Sequence, residues 1–78
     1  KRGTVGFRRV AFRVDGAGFL EFLSRLDAHP LFDAGGARLT AADVVDHELS
    51  WSIYFNDPWG HPFEVTTYEY AWVRENGR

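Results

Sequence analysis

The chain has 78 residues, no cysteine and a formal net charge of −2. That length allows one domain at most, the missing cysteine excludes disulfide staples, and the acidic balance argues against nucleic acid as the main partner. A domain this short buries only ~60% of the surface its unfolded chain exposes, so a partner subunit is the expected remedy.

Aromatic residues make up 17% of the chain, and part of that area is expected in an interface or a pocket rather than a private core. No apolar run approaches ~20 residues, so nothing is expected to span a membrane. No apolar leader is visible, and a cytoplasmic location is the expectation. All but one of the nine basic residues are arginine, the better group for two-point contact with a carboxylate or phosphate. His29, His47 and His61 show no close metal-ligand spacing.

Residues 5–14 read as the first strand. Val10, Phe12 and Val14 face one way, while Arg9, Ala11 and Arg13 face the other. Asp15 is a suitable helix cap. Over residues 17–28 the period becomes helical, with Phe19, Phe22, Leu23 and Leu26 on one face and Pro30 as a stop. Residues 31–42 read as a loop around Gly35-Gly36, and 43–47 as a short strand. Residues 50–56 form a clearer strand and 62–68 the last one, while 69–78 carry no assignment. Asp57-Pro58 opens the turn between the last two strands and Gly60 relaxes it.

The alternation then divides the sheet. A helix is expected to cover Val10, Phe12, Ile53, Phe55, Phe63 and Val65. The opposite face carries Arg9, Arg13, Ser52, Tyr54, Glu64, Thr66 and Tyr68, which is polar for a core and aromatic enough to line a pocket. Glu64 therefore stands on a sheet face, where it suits a metal ligand, an ion pair or a group that grips a small molecule. An Arg9–Glu64 ion pair is preferred to coordination, because one carboxylate makes no metal site. Arg9 and Arg13 are placed to hold an anion, or else to pair with Glu64 and Glu69. Ser52, Tyr54 and Tyr68 are candidate ligand contacts, the tyrosines alternatively packing at a dimer interface with wet hydroxyls. His47 is a candidate rescue ligand or proton-transfer group, or simply a hydrogen-bonded residue at a strand end beside Asp46.

The runs Val10-Ala11-Phe12-Arg13-Val14, Asp46-His47, Ser52-Ile53-Tyr54-Phe55, Asp57-Pro58-Trp59-Gly60 and Phe63-Glu64-Val65-Thr66-Thr67-Tyr68-Glu69 carry a resemblance. They resemble one module of the vicinal oxygen chelate superfamily, which includes glyoxalase I, bleomycin-resistance proteins and extradiol dioxygenases. The resemblance covers residues 7–69 of a single module spanning 1–78. It implies an α+β fold: one βαβββ module, with a helix on one face of a curved four-stranded sheet. It also implies pairing with a second copy, or with a missing module of a longer chain, around a small-molecule cavity. A divalent metal (Fe, Mn, Ni or Zn) held by Glu64, with His47 assisting, and a metal-dependent dioxygenase, lyase or isomerase activity are further implications. The position matching the family's first-strand His ligand is Arg9, which stays protonated and is no ordinary ligand. Trp59 and His61 also replace small polar residues in the turn. A metal-free binder of the bleomycin-resistance type is the alternative that these departures favour.

Overall fold

A computed structural model describes residues 9–77. Their order is β1 (Val10–Arg13), α1 (Gly16–Ser24), a 3₁₀ turn (Ala41–Asp43), β2 (Val45–Asp46), β3 (Trp51–Asn56), β4 (Pro62–Thr67) and α2 (Tyr70–Asn76). The strands form one open mixed sheet in the order β1-β4-β3-β2. β3 is antiparallel to β2 and β4, and β1 runs parallel to β4. The fold is α+β and contains the expected βαβββ order, with a second helix added. Residues 5–8 of the expected first strand lie outside the described residues.

The β3–β4 turn forms where the sequence places it. Asp57 Oδ1 accepts from the backbone N–H of Trp59 and of His61, at 2.9 and 2.8 Å. Gly60 adopts φ +88°, a conformation that an L side chain resists. The hairpin fixes register: Ile53 opposes Val65, Tyr54 opposes Glu64 and Ser52 opposes Thr66. In β1, Phe12 lies beside Val65 and Arg13 beside Thr66. Because side chains alternate between faces, Val10, Phe12, Ile53, Phe55, Phe63 and Val65 share the helix face. Arg13, Ser52, Tyr54, Glu64 and Thr66 share the other, called here the open face.

Asp15 caps α1 by accepting from Gly18 N–H at 2.7 Å. Phe19 is fully buried against Ile53 and Val65, with Leu26, Leu39 and Val73 completing the core. The helix stops at Ser24 rather than running to residue 28. Arg25 and Leu26 donate three residues back, to Phe22 and Leu23, which tightens the chain out of α geometry. Leu26 still reaches the core from that turn.

Nine residues make α1 about 14 Å long, too short to cover the whole helix face. Phe12 consequently stays 50% exposed, and Val10 is exposed beside it. The expectation that the helix would hide both is corrected by its length and by the position of β1 at the sheet edge.

Residues 31–42 are more ordered than a plain loop. Phe32 bridges to Arg38 and Asn56, and Leu39 is buried. Thr40 and Asp43 cap the 3₁₀ turn reciprocally, so β2 begins only at Val45. α2 packs on α1 at Gly16, where a Cβ would lie 2.5 Å from a ring carbon of Trp72. Among the described residues no helix is long and apolar enough to cross a membrane.

Candidate functional site

The open face is built from β1, β4 and β3, with the end of β2 at its border. Its centre is a pair of short side chains. Ser52 is 1% exposed and Thr66 8%, because Tyr54, Glu64, Tyr68 and Arg13 stand taller around them. Ser52 Oγ lies 2.9 Å from Thr66 Oγ1 and 3.1 Å from Glu64 Oε2. Thr66 Oγ1 also donates to the Trp51 carbonyl at 3.1 Å. Ser52 has one hydroxyl proton to share between Glu64 and Thr66, and the Thr66 proton goes to the Trp51 carbonyl, so both hydroxyl donors of the floor are used within it.

Two arginine–tyrosine stacks border this floor. The Arg9 guanidinium lies 4.7 Å from the Tyr54 ring centroid, and the Arg13 guanidinium lies 4.7 Å from that of Tyr68. Such stacking holds a long side chain in place through the ring quadrupole. His47 Nε2 lies 3.0 Å from Tyr54 Oη, which ties the end of β2 to the same border.

The residues singled out from the sequence are therefore brought onto one face. The pairing among them differs from expectation. Arg9 and Glu64 form no ion pair: Arg9 is engaged by Tyr54 and Glu64 by Ser52. Arg13 forms none with Glu69, whose Oε1 instead accepts from Gly16 N–H at 2.6 Å. The reason is reach. Tyrosine rings lie beside both arginines on the face, while Ser52 stands diagonally across the β3–β4 pair, within hydrogen-bond distance of the glutamate.

Thr66 and Val45 also belong to this face through their register with Ser52, and strand alternation was the signal for Thr66. Trp51 faces the other way, stacked on Tyr70 at 4.7 Å with its indole N–H donated to the Tyr70 carbonyl. Trp59 at the turn tip is 77% exposed.

The described donor set on one chain brings too few ligands together for a divalent ion. Among the described residues no three His, Cys, Asp or Glu side chains converge. Glu64 and His47 are each hydrogen-bonded to a hydroxyl, and Arg9, over the Tyr54 ring, adds positive charge to the same face.

Ionisation is perturbed at the borders of the sheet. Desolvation works against the Asp57 charge, but the bonds from the His61 backbone and ring and from the Trp59 N–H together outweigh it and hold the carboxyl below its ordinary value. The Tyr70 phenol is pushed up, chiefly by its hydrogen bond to Asp46 and further by desolvation.

Fold and face together define a small α+β protein with one polar, aromatic sheet surface opposite its helices. Comparison with known proteins adds no relative: no family model, curated protein or solved structure matches the chain.

Proposed function

We propose that this chain is a metal-free small-molecule binding module. Its open face is half of a cavity, walled on the far side by a second copy of the chain or by another module of a longer protein. The observation that carries the reading is the composition of that face. Two arginines are stacked on two tyrosines around a satisfied Ser52–Thr66 floor, an arrangement more suited to gripping a ligand than to forming a dry core.

The resemblance to the vicinal oxygen chelate superfamily supports the same reading through the Asp57-Pro58-Trp59-Gly60 turn and the Glu64 that follows it. A cytoplasmic place of action accompanies that reading. The metal-dependent alternative, a glyoxalase- or dioxygenase-type enzyme using Fe, Mn, Ni or Zn, draws on Glu64 and needs further ligands from the second module.

The test combines two measurements on the full chain. Sedimentation across a concentration series reads self-association. Amide-resolved NMR titration with a panel of aromatic and charged compounds, and separately with the four metal ions, reads binding. Tryptophan emission is a poor probe, since none of the three indoles lies on the open face. Shifts on β1, β3 and β4 with organic compounds and none with metals are the expected result. Metal-induced shifts centred on Glu64 would return the enzyme reading to first place.

A further inference from the structure

We propose that the crevice between α1, the 3₁₀ turn and α2 is a ligand site in its own right, and that it takes a compact apolar monocarboxylate with its acid group on Arg74. The site lies on the helix side of the sheet and stands apart from the open-face reading.

Shape selects a small hydrocarbon body. The crevice has a volume of about 240 Å³, more than the roughly 150 Å³ that holds a benzene molecule in a protein interior. Its floor is the buried pair Phe19 and Val73. Leu20, Leu23 and Trp51, all half-buried, form its walls. The space stays open because its edges are small. The 3₁₀ turn contributes Ala41, and the end of α2 contributes Gly77, where a Cβ would lie 3.1 Å from Leu20 Cδ2. The Trp51 N–H is donated to the Tyr70 carbonyl, and the Val73 carbonyl accepts from Gly77 N–H. Neither group is stranded when a ring enters.

Charge selects an anion. Arg74 is the one charged side chain lining the crevice among the described residues. It is exposed, with its guanidinium 5.6 Å from the Tyr70 ring centroid, and it has no ion pair among the described residues. The acids of the flanking segments are engaged elsewhere: Asp43 accepts from Thr40 N–H, Asp46 from the Tyr70 hydroxyl, and Glu21 from Arg25. Glu75 follows Arg74 about 100° round the helix. Two larger clefts lack this balance. The groove beside Phe12 carries Glu21 and Arg25, which neutralise each other, and the cleft beside the β3–β4 turn carries Asp33 and Asp57. A lone cation at the rim of an apolar pocket suits a ligand with one negative end, and the guanidinium fork fits a carboxylate with two parallel bonds.

The test uses three probes of one shape on the full chain at low salt: 4-ethylbenzoate, the neutral 4-ethylbenzamide and the cationic 4-ethylbenzylamine. Trp51 in the wall makes tryptophan emission the readout, and amide NMR locates the probe. The carboxylate is expected to bind at least about threefold tighter than the amide, a margin set by an ion pair at an exposed rim. That margin narrows as salt is added. Arg74→Met removes it while leaving the apolar binding, and Arg74→Lys keeps part of it. Ala41→Leu fills the crevice and weakens all three probes. Circular dichroism shows whether each variant is folded, and the lysine and leucine variants serve if the methionine variant is not.

Equal binding of the three probes overturns the proposal, as does an undiminished preference in a folded Arg74→Met variant. Shifts centred on the open face or beside Phe12, or no binding at all, overturn it too. Binding that fades with rising protein concentration, in step with self-association by sedimentation, would hand the crevice to a second copy and have the same effect. None of these outcomes decides the open-face reading, which is judged by shifts on β1, β3 and β4.

Discussion

Glu69 and Gly16 are 53 residues apart in sequence, yet the Glu69 carboxylate accepts from the Gly16 N–H at 2.6 Å. The bond meets the first turn of α1 at the buried Gly16, where backbone N–H groups have no partner within the helix. A carboxylate there also complements the positive end of the helix dipole. Together with Asp15, it supplies two caps to one helix and ties the start of α2 to it. Glu69→Ala is expected to cost about 1 kcal/mol in urea unfolding, the usual worth of a cap. Glu69→Gln should cost less, since its amide oxygen still accepts.

Glu48 is the one described non-glycine residue with a positive φ, +70°. It sits in the β2–β3 turn, where His47 N–H bonds to the Ser50 carbonyl and Leu49 is 80% exposed. Its own N–H donates to Asp46 Oδ1 at 2.7 Å, a backbone contact that any side chain keeps. Asparagine tolerates this conformation better than glutamate. Glu48→Asn is therefore expected to stabilise the protein by about 0.5–1 kcal/mol, with the His47–Tyr54 contact unchanged. A destabilised variant in thermal or urea unfolding would contradict this account of the turn.

The Asp57 turn gives stability a defined acid dependence. Its carboxyl is held below the ordinary value of 3.8 in the folded state, so the folded form favours the ionised group. That contribution is complete above the unfolded value and is lost as pH falls through the lower folded one. Asp57→Asn should thus weaken the fold most near neutral pH. Its deficit should shrink as both proteins are acidified below about pH 4. A deficit that grows on acidification would reverse the assignment.

Tyr70 gives the alkaline counterpart. Its phenol donates to Asp46 Oδ2 at 2.8 Å, which favours the neutral form and raises its ionisation above 10.0. The associated stability is present below the unfolded value and is lost as pH rises through the folded one. Phenolate absorbance should contain a late component that disappears in Tyr70→Phe and moves to lower pH in Asp46→Asn.

Strand parity was legible because its period is two: one turn at Asp57-Pro58-Trp59-Gly60 fixes both flanking strands, and Glu64 follows onto the open face. The start of α1 was legible from Asp15 and the spacing of Phe19, Phe22, Leu23 and Leu26. α2 was not, because seven residues with one buried side chain, Val73, carry little periodic signal. That helix depends on Gly16 admitting Trp72, a contact between distant parts of the chain. Thr40 and Asp43 did carry a capping signal for the 3₁₀ turn, spaced as a reciprocal cap requires. The partners of Arg9 and Glu64 could not be read from parity, which assigns a face but does not choose among neighbours on it. Arg9 settles on the Tyr54 ring and Glu64 on the Ser52 hydroxyl in place of the ion pair.

The parallel alignment of β1 with β4 has a consequence for synthesis. The ribosome delivers the opening strand long before its neighbour, so the early part of the chain emerges without a template to settle on. The local hairpin of β3 and β4 can close within microseconds of emergence. Assembly is therefore expected to proceed backwards, with the late hairpin recruiting the waiting N-terminal strand and helix.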